Sequence, residues 1–327
     1  MRGFEYARPA SVEQAVRLLA AAPEQSRVLA GGSDLLSLMK DEVEAPARLV
    51  SLQAIGALRG LRVDPQAGLR IGALVTLAEL AADAGARRLH PVLATAAGQA
   101  AGPQIRNVGT VVGNLCQRPR CWYYRNGFGL LAVRDGKPMV PEGDNRFHAI
   151  LGNAGPAYFV HPSTVAPLLI VLGARLAVAG PKGERQLELA AFYRTPQGEG
   201  ESEHALAPGE VVTEIVVPPP AAGRRVWSYE VRQRHTLDWS LATAAVALDM
   251  QGRRVGKARV VLGQVAPVPW EAAAAQQVLA GQELDGAVAA RAGEAAVEGA
   301  RALSRNRYKI QLARVAVKRA VLAAGGV

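Results

Sequence analysis

The sequence predicts an α+β chain in two parts: a two-part N-terminal domain over residues 1–220, and a small domain of three antiparallel strands and three helices over residues 221–327. Within the first, a small α/β unit covers about 1–55 and a larger α+β unit about 56–220. Three observations predict this. Val28–Lys40, VLAGGSDLLSLMK, reads as the end of a buried strand, a glycine turn and the start of a helix. Gln104–Cys121, QIRNVGTVVGNLCQRPRC, is a second glycine-rich stretch with apolar Val108, Val111, Val112 and Leu115 between its polar residues. Pro218-Pro219-Pro220 then reads as a linker, and beyond it a run of strands is followed by a run of helices, the pattern of a separate α+β unit.

Ser11-x-x-Gln14 is a capping box that opens a helix through Ala22, with Val12, Ala15, Val16 and Leu19 on one face. Val28–Ala30 is a strand, Leu35–Met39 a short helix and Arg48–Leu52 another strand. Leu69–Gly72 is a strand, Thr76 caps a helix at Leu77–Ala84, and Pro91–Ala101 is a helix of small residues ending at Gly102-Pro103. The glycine-rich stretch follows as a turn. Residues 119–150 form a long irregular segment, and such a loop inside a folded domain is usually functional or an interaction surface. Tyr158–Val160 is a strand, Thr164–Gly173 a helix, Leu176–Ala179 and Gln186–Leu189 a hairpin, and Glu210–Val217 a strand stopped by the prolines. In the last part Arg225–Arg234, Leu241–Asp249 and Arg259–Ala266 are strands, and Glu271–Ala280, Asp285–Leu303 and Arg307–Ala324 are helices.

Composition excludes several classes. The chain has 327 residues, is 50% hydrophobic and carries a formal net charge of +10. Its lysines stand only at 40, 137, 182, 257, 309 and 318, so the positive charge is mostly scattered arginine, without the basic runs of a nucleic-acid binder. No apolar run reaches the roughly 18–20 residues of a membrane helix, and the N-terminus lacks a signal-peptide core. Two cysteines give no disulfide framework. A cytoplasmic protein is the expectation, with export of a folded complex left open.

The two glycine stretches carry the chemistry. Glycine lets backbone approach a ligand where a Cβ would block it. Ser33 and Asp34 are candidate N-caps, and Asn107, Thr110 and Asn114 offer short polar side chains to phosphate or to the turn itself. A strand, glycine turn and helix N-terminus present free N–H groups to a phosphate. Neither stretch is GxGxxG or a Walker A sequence. Two such turns are expected to converge on one dinucleotide, an ordinary Gly/Asn loop being the alternative reading.

AGGSDLL followed by LMK, then IGALVTLAEL at 71–80, then QIRNVGTVVGNL, resemble the FAD-binding subunit of the molybdenum hydroxylases, the xanthine dehydrogenase, carbon monoxide dehydrogenase and aldehyde oxidoreductase group. ARPASVEQAVRLLA and NRYKIQLARVAVKRAV resemble the family's first and last helices. The resemblance implies a PCMH-like FAD-binding domain and a C-terminal flavoprotein domain, one non-covalent FAD, and a subunit without catalytic residues of its own. Val28, Leu29, Ala30, Gly31, Gly32, Ser33, Asp34 and Leu35, with Thr110, Val111, Val112, Gly113 and Asn114, bracket the pyrophosphate in this reading. Ala100 and Val212 lie nearer the rings, and Asn107, Gly109, Leu115 and Thr164 complete the site. The implied partners are a molybdopterin-binding large subunit and a 2Fe–2S small subunit, with neither nucleic acid nor membrane. Two positions depart from the family: Thr164 stands where many relatives have Asp, and Glu230-Val231 where many have Lys. These departures favour the alternative of a nucleotide-binding scaffold or regulatory module without a redox role.

Some relatives hold a 4Fe–4S cluster in the 119–150 loop with four cysteines. This chain has only Cys116 and Cys121, so no metal is expected in it. His90, His148, His161, His204 and His235 show no metal-site spacing. His148 and His161 are candidates for cofactor contact or structural hydrogen bonding, and His204 is expected at the surface. Arg118, Arg120 and Arg125 with Trp122, Tyr123 and Tyr124 form the densest aromatic–basic cluster, expected at the contact with the iron–sulfur subunit or packing its own loop.

Overall fold

The computed structural model describes residues 1–233 and 238–327. Arg234, the end of one expected strand, and His235 lie outside them. The chain begins with strand β1 (Glu5–Ala7) and helix α1 (Val12–Ala21). Ser11 Oγ accepts from Gln14 N, and Gln14 Oε1 in turn takes the Ala10 N–H, one residue earlier than a regular capping box. Strand β2 (Ser26–Leu29), helix α2 (Leu35–Lys40) and strand β3 (Arg48–Ser51) follow, and the three strands form a parallel sheet in the order β1-β3-β2. Ala15, Val16 and Leu19 are the buried stripe of α1, as the spacing predicts.

The second sheet is antiparallel. Strands β4 (Leu61–Asp64) and β5 (Gly68–Gly72) precede a string of short helices: α3 (Leu77–Ala82), α4 (Ala84–Leu89), α5 (Pro91–Gln99), α6 (Pro103–Val108), α7 (Val111–Cys116) and α8 (Trp122–Arg125). The expected single helix over 77–84 is broken because Asp83 leaves α3 and caps α4 through Ala86 N. The stretch expected as a turn at 104–115 is instead α6 and α7, separated by Gly109 and the capping Thr110. Pro103 starts α6 at a position where its missing N–H costs nothing, and the Thr110 hydroxyl caps α7 by accepting from Gly113 N at 2.9 Å.

A two-residue hairpin, β6 (Val133–Arg134) and β7 (Lys137–Pro138), is the only ladder described within residues 126–150. Tyr158–Val160 is not a ladder strand. That stretch is held by single backbone bonds, Ala149 N to Tyr158 O and His161 N to Ala266 O, with Phe159 buried beneath it. Helix α9 (Ala166–Val171), strands β8 (Arg175–Gly180) and β9 (Gly183–Glu188), helix α10 (Leu189–Phe192) and strand β10 (Val211–Val217) complete a sheet in the order β4-β5-β10-β8-β9. Leu69, Ile71, Leu176, Val178, Ile215 and Val217 bury its inner face against α9 and the helices before it.

After the prolines, strands β11 (Arg224–Val231), β12 (Ala242–Gln251), β13 (Arg254–Gly263) and β14 (Trp270–Glu271) form an antiparallel sheet in chain order. The short β14 adds a fourth strand to the expected three. Helices α11 (Ala273–Leu279), α12 (Gly286–Ala295) and α13 (Tyr308–Gly325) cover one face, and a second core of Ala and Val sits between the layers. Helix α12 stops at Ala295 rather than Leu303, and the freed stretch has another task. Arg301 N donates to Ile150 O, and Asn153 Nδ2 donates to Arg301 O. Asn306 Nδ2 reaches His148 O and Ala149 O, and Arg305 N donates to Asn145 Oδ1. Lys309, 1% exposed, donates from Nζ to Phe147 O, His148 O and Gln264 O at 3.1, 3.1 and 2.6 Å. Residues 145–153 are thus laced to residues 301–309.

Candidate cofactor and electron-transfer site

The three stretches that carry the resemblance meet in space. Thr76 and Thr110 form an antiparallel bridge, with Leu77 N donating to Gly109 O and Val111 N to Val75 O. This sets the capped starts of α3 and α7 side by side. The Gly31-Gly32 turn lies against Val108 and Gly109: a Cβ at Gly31 would overlap the Val108 carbonyl, and one at Gly109 would sit 2.8 Å from Ile105 O and 3.4 Å from Ser33 Oγ. Gly32 has φ +74°, which side chains rarely adopt. Gly31 therefore requires glycine for its backbone-to-backbone approach to Val108 and Gly109, a Cβ at Gly109 would clash with the last turn of α6, and the two glycine stretches meet in the fold.

Around this contact, Val28–Gly32 and Asp34–Leu35 are half-buried and Ser33 is exposed, so that side of the turn retains surface. On the facing side Asn107 and Val108 are exposed, while Gly113 and Asn114 are half-buried. Asn114 Oδ1 accepts from Ser163 Oγ at 2.6 Å, and the adjacent Thr164, 7% exposed, holds a buried Oγ1 without a partner. A glycine cradle with surface on both sides and an orphaned hydroxyl nearby suits a dinucleotide. Val111, Val112 and Leu115 belong to the hydrophobic core and anchor α7. Ala100 and Val212, 1% and 3% exposed, are also core residues whose side chains present almost no surface to a ligand.

Asp34 departs from its expected capping role. Its side chain makes no cap bond to α2. Its Oδ2 accepts from Arg118 N at 2.8 Å, and its Oδ1 meets Arg125 Nη2 at 2.8 Å and Arg120 Nη2 at 2.9 Å. Glu44 takes Arg27 and Arg118, and Glu203 lies 2.7 Å from Arg118 Nε. Burial pulls the Arg120 guanidinium down to about 10, against the pull of Asp34. The aromatic members turn inward as well: Trp122 Nε1 donates to Asp144 O, Asp144 N donates to Tyr123 Oη, and Tyr124 is buried. The arginines thus tie the start of the 119–150 loop to the glycine turn, so the cluster packs its own loop first.

Under α7 lies a buried polar group that the sequence does not announce. His204 is 8% exposed rather than at the surface, and it stacks on Phe192 at 4.8 Å. His161, 2% exposed, meets Tyr193 edge-on at 4.2 Å and has no partner at either ring nitrogen. Burial, then His204 beside it, pulls His161 down to about 3. Burial, then Arg118 and Arg194, does the same to His204. Cys116 beside them is pushed up to about 12 by burial and Glu203. Cys121 instead meets His148 Nε2 at 3.1 Å. Both cysteines are free, and among the described residues no group of three or more His, Cys, Asp or Glu is placed to hold a metal. No helix there is long and apolar enough to cross a membrane.

Comparison with known proteins agrees with this geometry. Residues 2–220 match the family described as the FAD binding domain in molybdopterin dehydrogenase, and residues 227–324 match the CO dehydrogenase flavoprotein C-terminal domain. The chain is 36% identical over 289 residues to the aldehyde oxidoreductase FAD-binding subunit of Escherichia coli, covering 84% of this chain and 86% of that protein. It is 33% identical to the carbon monoxide dehydrogenase medium chain of Afipia carboxidovorans, covering 86% and 81%. Among solved structures, a cyanide-inactivated Cu,Mo-CO dehydrogenase superposes with a TM-score of 0.77 at 29% identity, over 99% of this chain and 98% of that one. Quinoline 2-oxidoreductase from Pseudomonas putida superposes with a TM-score of 0.76 at 26% identity, over the same shares.

Proposed function

Since the chain belongs to the FAD-binding subunits of the molybdenum hydroxylase family, we propose that it is the electron-transferring flavoprotein of a three-subunit oxidoreductase, taking electrons from a 2Fe–2S small subunit beside a molybdopterin-binding large subunit and passing them to an acceptor. FAD is its cofactor. The observation that carries the reading is the convergence of the Gly31-Gly32 turn on Val108–Thr110.

In this reading Val28–Leu35 and Thr110–Asn114 bracket the pyrophosphate, Val111, Val112 and Leu115 anchor α7 from the core, and Thr164 offers its spare hydroxyl. Asp34 acts through its arginines rather than on phosphate: it fixes the 119–150 loop against the turn. Ala100 and Val212 shape the floor by packing. FAD supplies reversible redox chemistry when bound; the chain binds it, orients it and limits water around it. Residues 1–220 are the cofactor-binding unit and 221–327 the unit that closes over it. The work is cytoplasmic, with neither nucleic acid nor membrane involved.

Flavin absorbance of the purified chain tests cofactor binding. Co-expression with the neighbouring subunits, followed by substrate-driven bleaching of that absorbance, tests the electron route. Stable co-purification and bleaching are expected. A chain that stays colourless after incubation with FAD would sink the proposal and favour the scaffold reading.

A further inference from the structure

Helix α13 and the stretch before it carry one sign of charge. Residues 299–327 hold seven Arg and Lys and neither Asp nor Glu, in a chain whose net charge is +10. Lys309 is buried and committed to its carbonyls. Arg305, Arg307 and Arg319 are exposed, and Arg314 and Lys318 are half-buried. Among the described residues none of these five takes part in a salt bridge, and Asp144 at the foot of the helix already pairs with Arg146 at 2.7 Å. Elsewhere the surface cations are matched: Arg175 pairs with Glu188, Arg185 with Glu210 and Arg224 with Asp249. A surface helix ordinarily carries charges of both signs on its solvent side, and α13 does not.

The same side carries an apolar line. Tyr308, Val315 and Leu322 stand seven residues apart, on the side away from buried Ala313, Ala316, Val317 and Ala320. Tyr308 is 39% exposed, and Val315 and Leu322 are half-buried. The ridge is rigid. Tyr308 Oη donates to Arg146 O at 3.0 Å, Lys309 pins the helix start, and α13 runs for about 27 Å. An apolar line flanked by unmatched cations has the make-up of a protein interface, where Tyr and Arg are enriched. A helix lying on a membrane needs a broad apolar face turned outward, and α13 gives its broad face to the second core. Tight binding to a duplex needs a field of phosphate contacts rather than an apolar ridge.

We propose that the solvent side of α13, with Arg305 and Arg307 at its foot, docks an acidic protein surface of a partner subunit. Carboxylates of the partner meet Arg305, Arg307, Lys318 and Arg319, and its apolar side chains pack along Tyr308, Val315 and Leu322. The unmatched charge also speeds encounter with such a surface. This rests on the reading that the chain works inside a multi-subunit oxidoreductase, and it adds the docking surface and the chemistry of what sits there.

The test compares the free chain with the complex formed on co-expression with the neighbouring subunits. Hydrogen exchange at residues 305–322 should slow on assembly. Arg305→Glu with Arg307→Glu and Lys318→Glu should weaken assembly about tenfold or more at low salt, with flavin absorbance unchanged. The wild-type complex should itself loosen between about 0.1 and 0.5 M salt. Arg88→Glu with Lys182→Glu, exposed on α4 and in the turn between β8 and β9, should leave assembly as it was. Assembly indifferent to the triple reversal overturns the proposal, and so does exchange at 305–322 that is the same in the complex and the free chain. The exchange measurement needs no variant, so it decides even where the reversal disturbs folding. Capture of the chain by phosphatidylserine vesicles or duplex DNA, abolished by the same reversal, also overturns it, because the surface then serves lipid or nucleic acid. A wild-type chain that never assembles sinks the proposed function and this docking together, whereas a complex indifferent to the reversal sinks the docking alone.

Discussion

Gly31 makes the glycine contact testable with a single methyl group. The added carbon of Gly31→Ala meets backbone rather than a side chain that can swing aside. The two turns must separate, and a cost of about 1–3 kcal/mol, the range of an overpacked interior, is expected together with loss of most bound FAD. Thermal melts and flavin absorbance check the two effects. The buried histidines give a second prediction. His161 and His204 titrate near 6.5 in the unfolded chain and at about 3 when folded. Between those values the unfolded state binds more protons, so stability is fully present above pH 6.5 and is lost as pH falls towards 3. Each contributes a slope of up to about 1.4 kcal/mol per pH unit. Urea midpoints across that range should fall on acidification, and the double variant His161→Phe with His204→Phe should flatten the curve. Sequence suggested a surface place for His204 because Glu201, Ser202 and Glu203 surround it. Glu203 is itself buried against Arg118, a long-range pairing that local polarity does not reveal.

Helix α7 is short enough to depend on its cap. Thr110→Ala removes the acceptor for Gly113 N and is expected to cost roughly 0.5–2 kcal/mol, whereas Thr110→Ser should retain most of it. FAD affinity should fall in parallel, because the cap fixes the start of α7, where half-buried Gly113 and Asn114 border the proposed site, whereas the Thr76 bridge is backbone and survives both changes. Dissociation constants for the two variants check this. At this scale much was legible. The stripe of α1, the Thr76 cap, the hairpin of β8 and β9 and the strand-then-helix order after the prolines follow from periodicity and turn residues. The α6–α7 pair was hidden because Gly109 and Gly113 look like a loop, while Pro103 and Thr110 supply helix starts that outweigh them. Strands β1 and β4 lacked signal, since each is short and β1 leaves Tyr6 exposed. The glycine turns were legible as a site, but the Asp34 clamp was not. Its partners lie 84 and 91 residues away in the chain, and nothing local marks a carboxylate as taken.

Over the whole molecule, Lys309 is where the two halves are pinned. Burial pulls its ammonium down to about 7, while three carbonyl acceptors favour the charged form. Lys309→Met keeps the bulk and takes the Nζ donor from Phe147 O and Gln264 O, while His148 O keeps Asn306 Nδ2, and a loss of about 2–3 kcal/mol is expected. Its mark should be regional: faster hydrogen exchange and proteolysis at 145–153, with the first sheet unaffected. Unchanged protection there would sink the pinning role. The lacing also has a consequence in time. The stretch that fastens residues 145–153 is translated 148 to 162 residues after them. At ribosomal rates that interval is about 8–30 s. The glycine turns are synthesised and free to fold early, while the 119–153 flap beside them waits for its clasp. The nascent chain therefore passes through a period in which both glycine stretches are complete while residues 145–153 still lack the partners that hold them in the finished protein.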